Sequence, residues 1–197
     1  MSQPIGLETG PSPSTAVVDP DMPGWLRPFA RGLQLLNRLM LGIGMVAALV
    51  AALVLTSSVV SRYVLHASTD WQDETAVFCL VGATFLCAAY VQSQRGHVGI
   101  EALVTVLSPR IDRVRRLLVD AVSLFFCLFF AWKSGTLLHE AWVDGQTTSS
   151  TWAPPLAIPY GLMTAGMALL CLQLAVQVVT DANRLRHQPV ARTEAVR

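Results

Sequence analysis

The chain has 197 residues, of which 53% are hydrophobic and 14% charged, and its mean hydropathy is +0.49. Soluble domains carry about 25% charged residues, so these numbers exclude an ordinary water-soluble globule and describe a membrane protein. Fourteen Lys and Arg against thirteen Asp and Glu leave a net charge of +1, which excludes a nucleic-acid-binding domain or an acidic tail as the main business of the chain.

Residues 1–24 hold five prolines, three glycines and no apolar run, and they read as a disordered tail, not a signal peptide. Over residues 25–38, Trp25, Leu26, Phe29, Leu33 and Leu36 recur at three- and four-residue steps with Arg27 and Arg31 between them. That spacing predicts a short amphipathic helix lying on the membrane face. Residues 39–61 are 23 consecutive uncharged residues, and at about 1.5 Å per residue they exceed a hydrocarbon core of roughly 30 Å. They form the first predicted transmembrane helix.

A loop over 62–74 leads to a second uncharged run, 75–94, long enough for another span. Residues 95–116 make a basic loop, with a second short amphipathic stretch over 98–107 that Pro109 ends. The third span is 117–138. It contains Asp120 near one end and Lys133 towards the other, both read as reaching an interface. A loop over 139–157, a fourth span over 158–179 and a basic tail over 180–197 complete an all-α membrane protein of four transmembrane helices with short interfacial helices.

Arginine and lysine stay on the cytoplasmic side of short loops. Twelve of the fourteen fall in the N-terminal segment, the 95–116 loop and the C-terminal tail, whereas Arg62 and Lys133 sit towards the other side beside Asp70, Asp73, Glu74, Glu140 and Asp144. Both termini are therefore expected in the cytoplasm. Tyr63, Trp71, Trp142, Trp152 and Tyr160 fall at the outer ends of the spans, where aromatic rings favour the headgroup layer. Within the first span Gly44, Ala48 and Ala52 follow a small-xxx-small spacing widened by Ala47 and Ala51, and Gly161 with Ala165 repeat it in the fourth; such stripes suit close helix packing.

Chemistry inside a bilayer usually places ionisable groups near the midplane, and spans one, two and four contain no charged residue. Thr164 and Gln173 in span four are polar, but two residues make no pathway. Cys79, Cys87, Cys127 and Cys171 are isolated in apolar runs with no CxxC pair, and His66, His97, His139 and His187 lie outside the spans or at their ends. These placements exclude a disulfide oxidoreductase, a metal centre and a haem-binding membrane cytochrome. The first span lacks the carboxylate of a small multidrug antiporter, and no P-loop or Gly-x-Ser-x-Gly motif occurs. The sequence thus predicts neither an enzyme nor a cofactor, and leaves the polar rims as the informative part.

Those rims carry ordered landmarks. Arg62-Tyr63 closes the first span, Trp71 precedes Asp73-Glu74 at the start of the second, and Gly82 lies within it. Gly96-His97-Val98-Gly99-Ile100-Glu101 follows, then the basic stretch 109–116, and Ile158-Pro159-Tyr160-Gly161 opens the last span after a Ser/Thr-rich loop. Locally, an acidic first turn complements a helix dipole, and His97 and Glu101 are four residues apart on one helical face.

In this order the landmarks resemble the small membrane subunit, the Q subunit, of tripartite ATP-independent periplasmic (TRAP) transporters, over roughly residues 33–179. The family commonly has two glutamates where this chain has Asp73-Glu74 and an Asp where Glu101 stands; both changes keep the charge. The resemblance implies a large multi-span partner subunit that moves the substrate on a sodium gradient, and a periplasmic substrate-binding protein that delivers it. This chain is then an inner-membrane scaffold for uptake of organic acids, with Arg62, Tyr63, Trp71, Asp73, Glu74, Gly82, His97, Glu101 and Lys133 as its partner or docking contacts. The competing reading is a self-contained four-helix assembly factor or sensor.

Overall fold

A computed structural model describes residues 24–66, 68–94 and 109–187. The expected tail over residues 1–23, the amphipathic stretch 98–107, and His97 and Glu101 lie outside the described residues. A 3-10 turn, Gly24–Leu26, leads into α1 (Arg27–Val60), which a π-turn, Ser61–Leu65, extends. The remaining helices are α2 (Asp70–Ser93), α3 (Pro109–Val143) and α4 (Ala157–His187). The segments Gly24–Leu65, Asp70–Ser93 and Ala157–Asn183 are long and apolar enough to cross a membrane, and α3 is a continuous 35-residue helix whose apolar run is interrupted by Asp120 and Lys133.

Every helix outruns its uncharged stretch, because hydropathy marks only the part that lipid would surround. The clearest case is residues 25–38, which are not a separate surface helix. Pro28 occupies the first turn of α1, where its missing N–H is harmless, and nothing after it breaks the helix before Val60. The apolar side chains Leu26, Ala30 and Leu33 then pack on Val176 of α4. At the start of α2, Asp70 and Asp73 stand in the first turn, so residues 70–74, read as loop, are helix with its N-terminal dipole compensated.

Contacts between helices set the topology. Gly44 of α1 abuts Cys87 and Ala83 of α2, and Ser58 reaches Asp73, so α1 and α2 are antiparallel. Gly82 meets Leu162, Phe85 meets Gly166 and Gln92 meets Gln177, making α2 and α4 parallel neighbours. Gly135 meets Thr164 and Leu138 meets Gly161, making α3 antiparallel to α4. The helices therefore lie in the order α1, α2, α4, α3, and the first turns of α1 also reach α4. One end of the bundle carries the arginines of α1 and α3; the other carries Tyr63, Trp71, Trp142 and Trp152.

The buried positions follow a seven-residue spacing. On α1 they include Ala30, Asn37, Gly44, Ala51 and Ser58; on α3, Asp120, Ser134 and Ala141; on α4, Pro159, Gly166, Gln173 and Thr180. A strict seven-residue repeat keeps a seam in register through a left-handed supercoil, and small residues let backbones approach where lipid supplies no hydrophobic drive. Large apolar side chains such as Leu49, Leu53, Val91, Phe125 and Phe129 point outward instead.

This repeat corrects the small-residue stripe. Gly44 and Ala51 are buried, but Ala48 and Ala52 are exposed. A four-residue step overshoots a full turn by about 40°, so two such steps leave the seam, whereas a seven-residue step stays on it. Likewise Ala165 is exposed, and Gly166 makes the closest approach in α4. Ala51→Leu is expected to overpack the α1–α2 seam and lower stability by about 1–3 kcal/mol. Ala48→Leu is expected to stay within about 0.5 kcal/mol of the parent; unfolding midpoints in detergent, compared side by side, check both.

Candidate functional site

Two polar assemblies stand at opposite ends of the bundle. At the aromatic end, the π-turn that follows α1 carries Arg62, and His66 reverses the chain in the left-handed region at φ 52°. The Arg62 guanidinium donates to Asp73 Oδ2 at 2.8 Å and to Thr69 Oγ1 at 2.7 Å, and Ser58 Oγ donates to Asp73 Oδ1 at 3.0 Å. Asp73 thus has both oxygens occupied within the chain. Because the two side chains are 60% and 48% exposed, water screens the pair, and it contributes about 0–1 kcal/mol. Its geometric effect is to close the α1–α2 hairpin.

Around this pair lie exposed Tyr63, Trp71, Trp142 and Trp152 and exposed Asp70, Glu140 and Asp144. Glu74 is half-buried, with Oε2 shielded from solvent and without a hydrogen-bond partner among the described residues. The 144–156 loop orders itself: Thr147 and Pro155 form a bridge, Thr148 N–H donates to Pro154 O and Leu156 N–H to Gln146 O, and Gly145 and Ala153 take left-handed backbone angles. Thr151 Oγ1 leans towards Asp70 at 3.4 Å. Beside the loop is an apolar depression of about 480 Å³ lined by Ala141, Trp142, Gly145, Pro155, Ala157 and Ile158.

The arginine-rich end is stitched by amides. Asn37 of α1, fully buried, donates from Nδ2 to Gln173 Oε1 of α4 at 2.9 Å. One turn further along α4, Gln177 accepts from Gln92 Nε2 at 2.9 Å and donates back to the Gln92 carbonyl at 3.0 Å. Successive glutamines of α4 therefore hold α1 and α2 in turn. Asp120 and Asp181 are buried at this same end. Between these residues and Asp73, no Asp, Glu, Lys, Arg or His among the described residues is buried.

Of the residues singled out from sequence, Arg62 and Asp73 are brought together, and Tyr63, Trp71 and Glu74 share their end of the bundle. Gly82 stands apart, on α2 against Leu162. Lys133 is on the exposed side of α3, its Nζ 5.2 Å from the centre of the Trp132 ring. Asp120, read as interfacial, is at the arginine-rich end of the bundle, with its side chain buried among the helices. Sequence reasoning missed Asn37, Gln92 and Gln177 as an assembly. The available signal was the four-residue step from Gln173 to Gln177 and the seven-residue step from Asn37 to Gly44.

Comparison with known proteins identifies relatives of the chain. Residues 51–184 match the family model for tripartite ATP-independent periplasmic transporters, DctQ component. Over 148 residues the chain is 24% identical to the C4-dicarboxylate TRAP transporter small permease protein DctQ of Vibrio cholerae, a match covering 63% of this chain and 64% of that protein. Over 117 residues it is 24% identical to a TRAP transporter small permease protein of Haemophilus influenzae, covering 59% and 68% respectively. The chain thus spans just under two thirds of the Vibrio relative's length. No solved structure matches it.

Proposed function

Because the chain belongs to the DctQ component family of the tripartite ATP-independent periplasmic transporters, a family of multi-pass bacterial inner-membrane transporter subunits and not of enzymes, we propose that it is the scaffold of its transporter. In this reading the bundle widens the fixed frame of the large transport subunit. Its aromatic end faces the periplasm and helps receive the substrate-binding protein during ion-gradient-driven uptake of an organic acid, and both termini lie in the cytoplasm. The observation that carries the proposal is the seam: its centre is built from Gly44, Ala51, Gly82 and Gly166 and holds no buried charged side chain among the described residues, while large apolar side chains crowd the outside. Such a bundle offers an ion or a carboxylate no path through itself, and offers a neighbouring membrane protein a broad surface.

Purification in mild detergent tests the reading. The chain is expected to bring down a large TRAP membrane subunit in stoichiometric amount; a lone chain or a homo-oligomer would instead support the self-contained sensor or assembly factor. The acids at the aromatic end supply a second expectation. With Asp73 neutralised by Arg62, long-range attraction of a basic patch on the binding protein falls to Asp70, Glu74, Glu140 and Asp144. Changing these four to amides should reduce uptake several-fold at low ionic strength, with the deficit shrinking as salt rises over the range where the Debye length falls below about 10 Å. Uptake insensitive to both the substitutions and salt would refute steering.

A further inference from the structure

We infer that the exposed flank of α3 carrying Lys133 receives a membrane helix of the large transporter subunit, and that a carboxylate on that helix meets the Lys133 ammonium; this rests on the scaffold reading. Depth is the first observation. The contacts Gly135 to Thr164 and Leu138 to Gly161 register α3 against α4, and the same register sets Lys133 level with Gly166. Gly166 lies against Phe85, whose ring stacks on Phe130, one turn before Lys133. Phe85 is at the middle of the uncharged run 75–94. Gly166 is about 4 Å, under one turn, from the middle of the apolar stretch 158–179. Lys133 is therefore at the centre of the apolar belt, and about 15 Å of helix separates it from Val143 at the end of α3.

Its side chain is exposed, and among the described residues no carboxylate lies within ion-pair distance of it. Helical side chains lean towards the N-terminus of their own helix, which for α3 is the arginine-rich end. Lys133 therefore leans away from the nearer interface, at the aromatic end, so reaching that headgroup layer runs against its geometry. An ammonium on the outside of a bundle at this depth is unfavourable in lipid, and such groups find a charged partner in a protein interface.

The flank supplies the rest of an interface. Val119, Val122, Phe126, Phe130 and Leu137 flank Lys133 at three- and four-residue steps, and all five are exposed. This is the stripe along which an apolar helix packs. The flank opens on the side of Phe85, between α3 and α2, and no other described helix packs along it. The outer face of α1, by contrast, holds no ionisable side chain between Arg38 and Arg62 and gives no reason for a charged partner. A second copy of this chain fits poorly, because a two-fold contact presents the same patch from both sides and would set Lys133 against Lys133.

The test co-expresses this chain with the large subunit of its transporter, captures the tag on this chain in mild detergent, and measures the large subunit recovered. Lys133→Glu should cut recovery at least tenfold and Lys133→Ala several-fold, while Lys133→Arg stays near the parent. A photo-crosslinking residue at Phe129, in an otherwise unchanged chain, should join the large subunit; the same residue at Leu49 on α1 should not. The crosslink reads the interface even where a Lys133 variant fails to fold. Parent-like recovery with Lys133→Ala and Lys133→Glu, or a Phe129 crosslink only to lipid or to a second copy, overturns the inference while leaving the scaffold reading standing. A parent chain that captures no large subunit overturns both.

Discussion

Gly166→Val is expected to separate α2 from α4 and to prevent stable folding of the bundle. A Cβ built on Gly166 falls on the carbonyl carbon, the carbonyl oxygen and the Cβ of Phe85. Two of those atoms are backbone, so no rotamer change relieves the clash and the helices must move apart. Because α2 lies between α1 and α4 and packs along both, the displacement reaches a second interface. Overpacking typically costs about 1–3 kcal/mol and sometimes more, and here van der Waals contact between helices is the main cohesive term. Gly161→Ala is the matched control: the nearest atom to its new Cβ is Leu138 Cδ1 at 3.8 Å, an ordinary contact, and the change should stay within about 0.5 kcal/mol. The recovery of monodisperse protein after solubilisation and its unfolding midpoint distinguish the two.

The Asn37–Gln173 pair is expected to behave as a coupled unit. Removing only Asn37, as Asn37→Ala, leaves the buried Gln173 Oε1 without its donor, and an orphaned buried polar group costs about 1–3 kcal/mol. Replacing both amides by apolar side chains of similar shape, Asn37→Leu with Gln173→Met, removes the orphan and should restore most of that loss. A coupling energy of about 0.5–1.5 kcal/mol in the double-mutant cycle is the predicted outcome. Strictly additive changes would mean that the amide contact does not hold α1 to α4. A buried amide pair of this kind fixes register at the expense of some stability, and its place near the arginine-rich end sets where the long α1 helix stops sliding along α4.

Three of the four long described helices were legible in the sequence because a bilayer imposes length and polarity on anything that crosses it, and residues 39–61, 75–94 and 158–179 meet that demand without a charge, whereas α3 was read through Asp120 and Lys133. Helix ends were not, since the turns beyond the apolar belt answer to capping, dipoles and local packing: Asp70 and Asp73 look like loop acids until α2 is seen to begin on them. The packed face was half legible. Gly44 was recognisable as a contact, but whether its partners were Ala48 and Ala52 or Ala47 and Ala51 depends on the supercoil, which needs a neighbouring helix to define it. Arg62 and Asp73 were both singled out, yet their pairing required the reversal at His66, where a non-glycine residue takes the left-handed region. Asn37, Gln92 and Gln177 lie at the edges of apolar runs, where polar residues are ordinary, so only their convergence on α4 gives them meaning. The depth of Lys133 likewise emerged from the α3–α4 register and not from its distance to the nearest charge.

Under the proposed scaffold role this chain holds a transporter together and does not itself carry cargo. Flux of a labelled organic acid into liposomes under an inward ion gradient is the decisive measurement of that proposal, with the chain reconstituted alone and then together with the large subunit and the binding protein. The predicted result is uptake by the chain alone no greater than in protein-free liposomes, with uptake appearing when the other two components are added. Saturable uptake by the isolated chain would refute the scaffold role, because it would require a solute path through a seam whose centre is built from glycine and alanine.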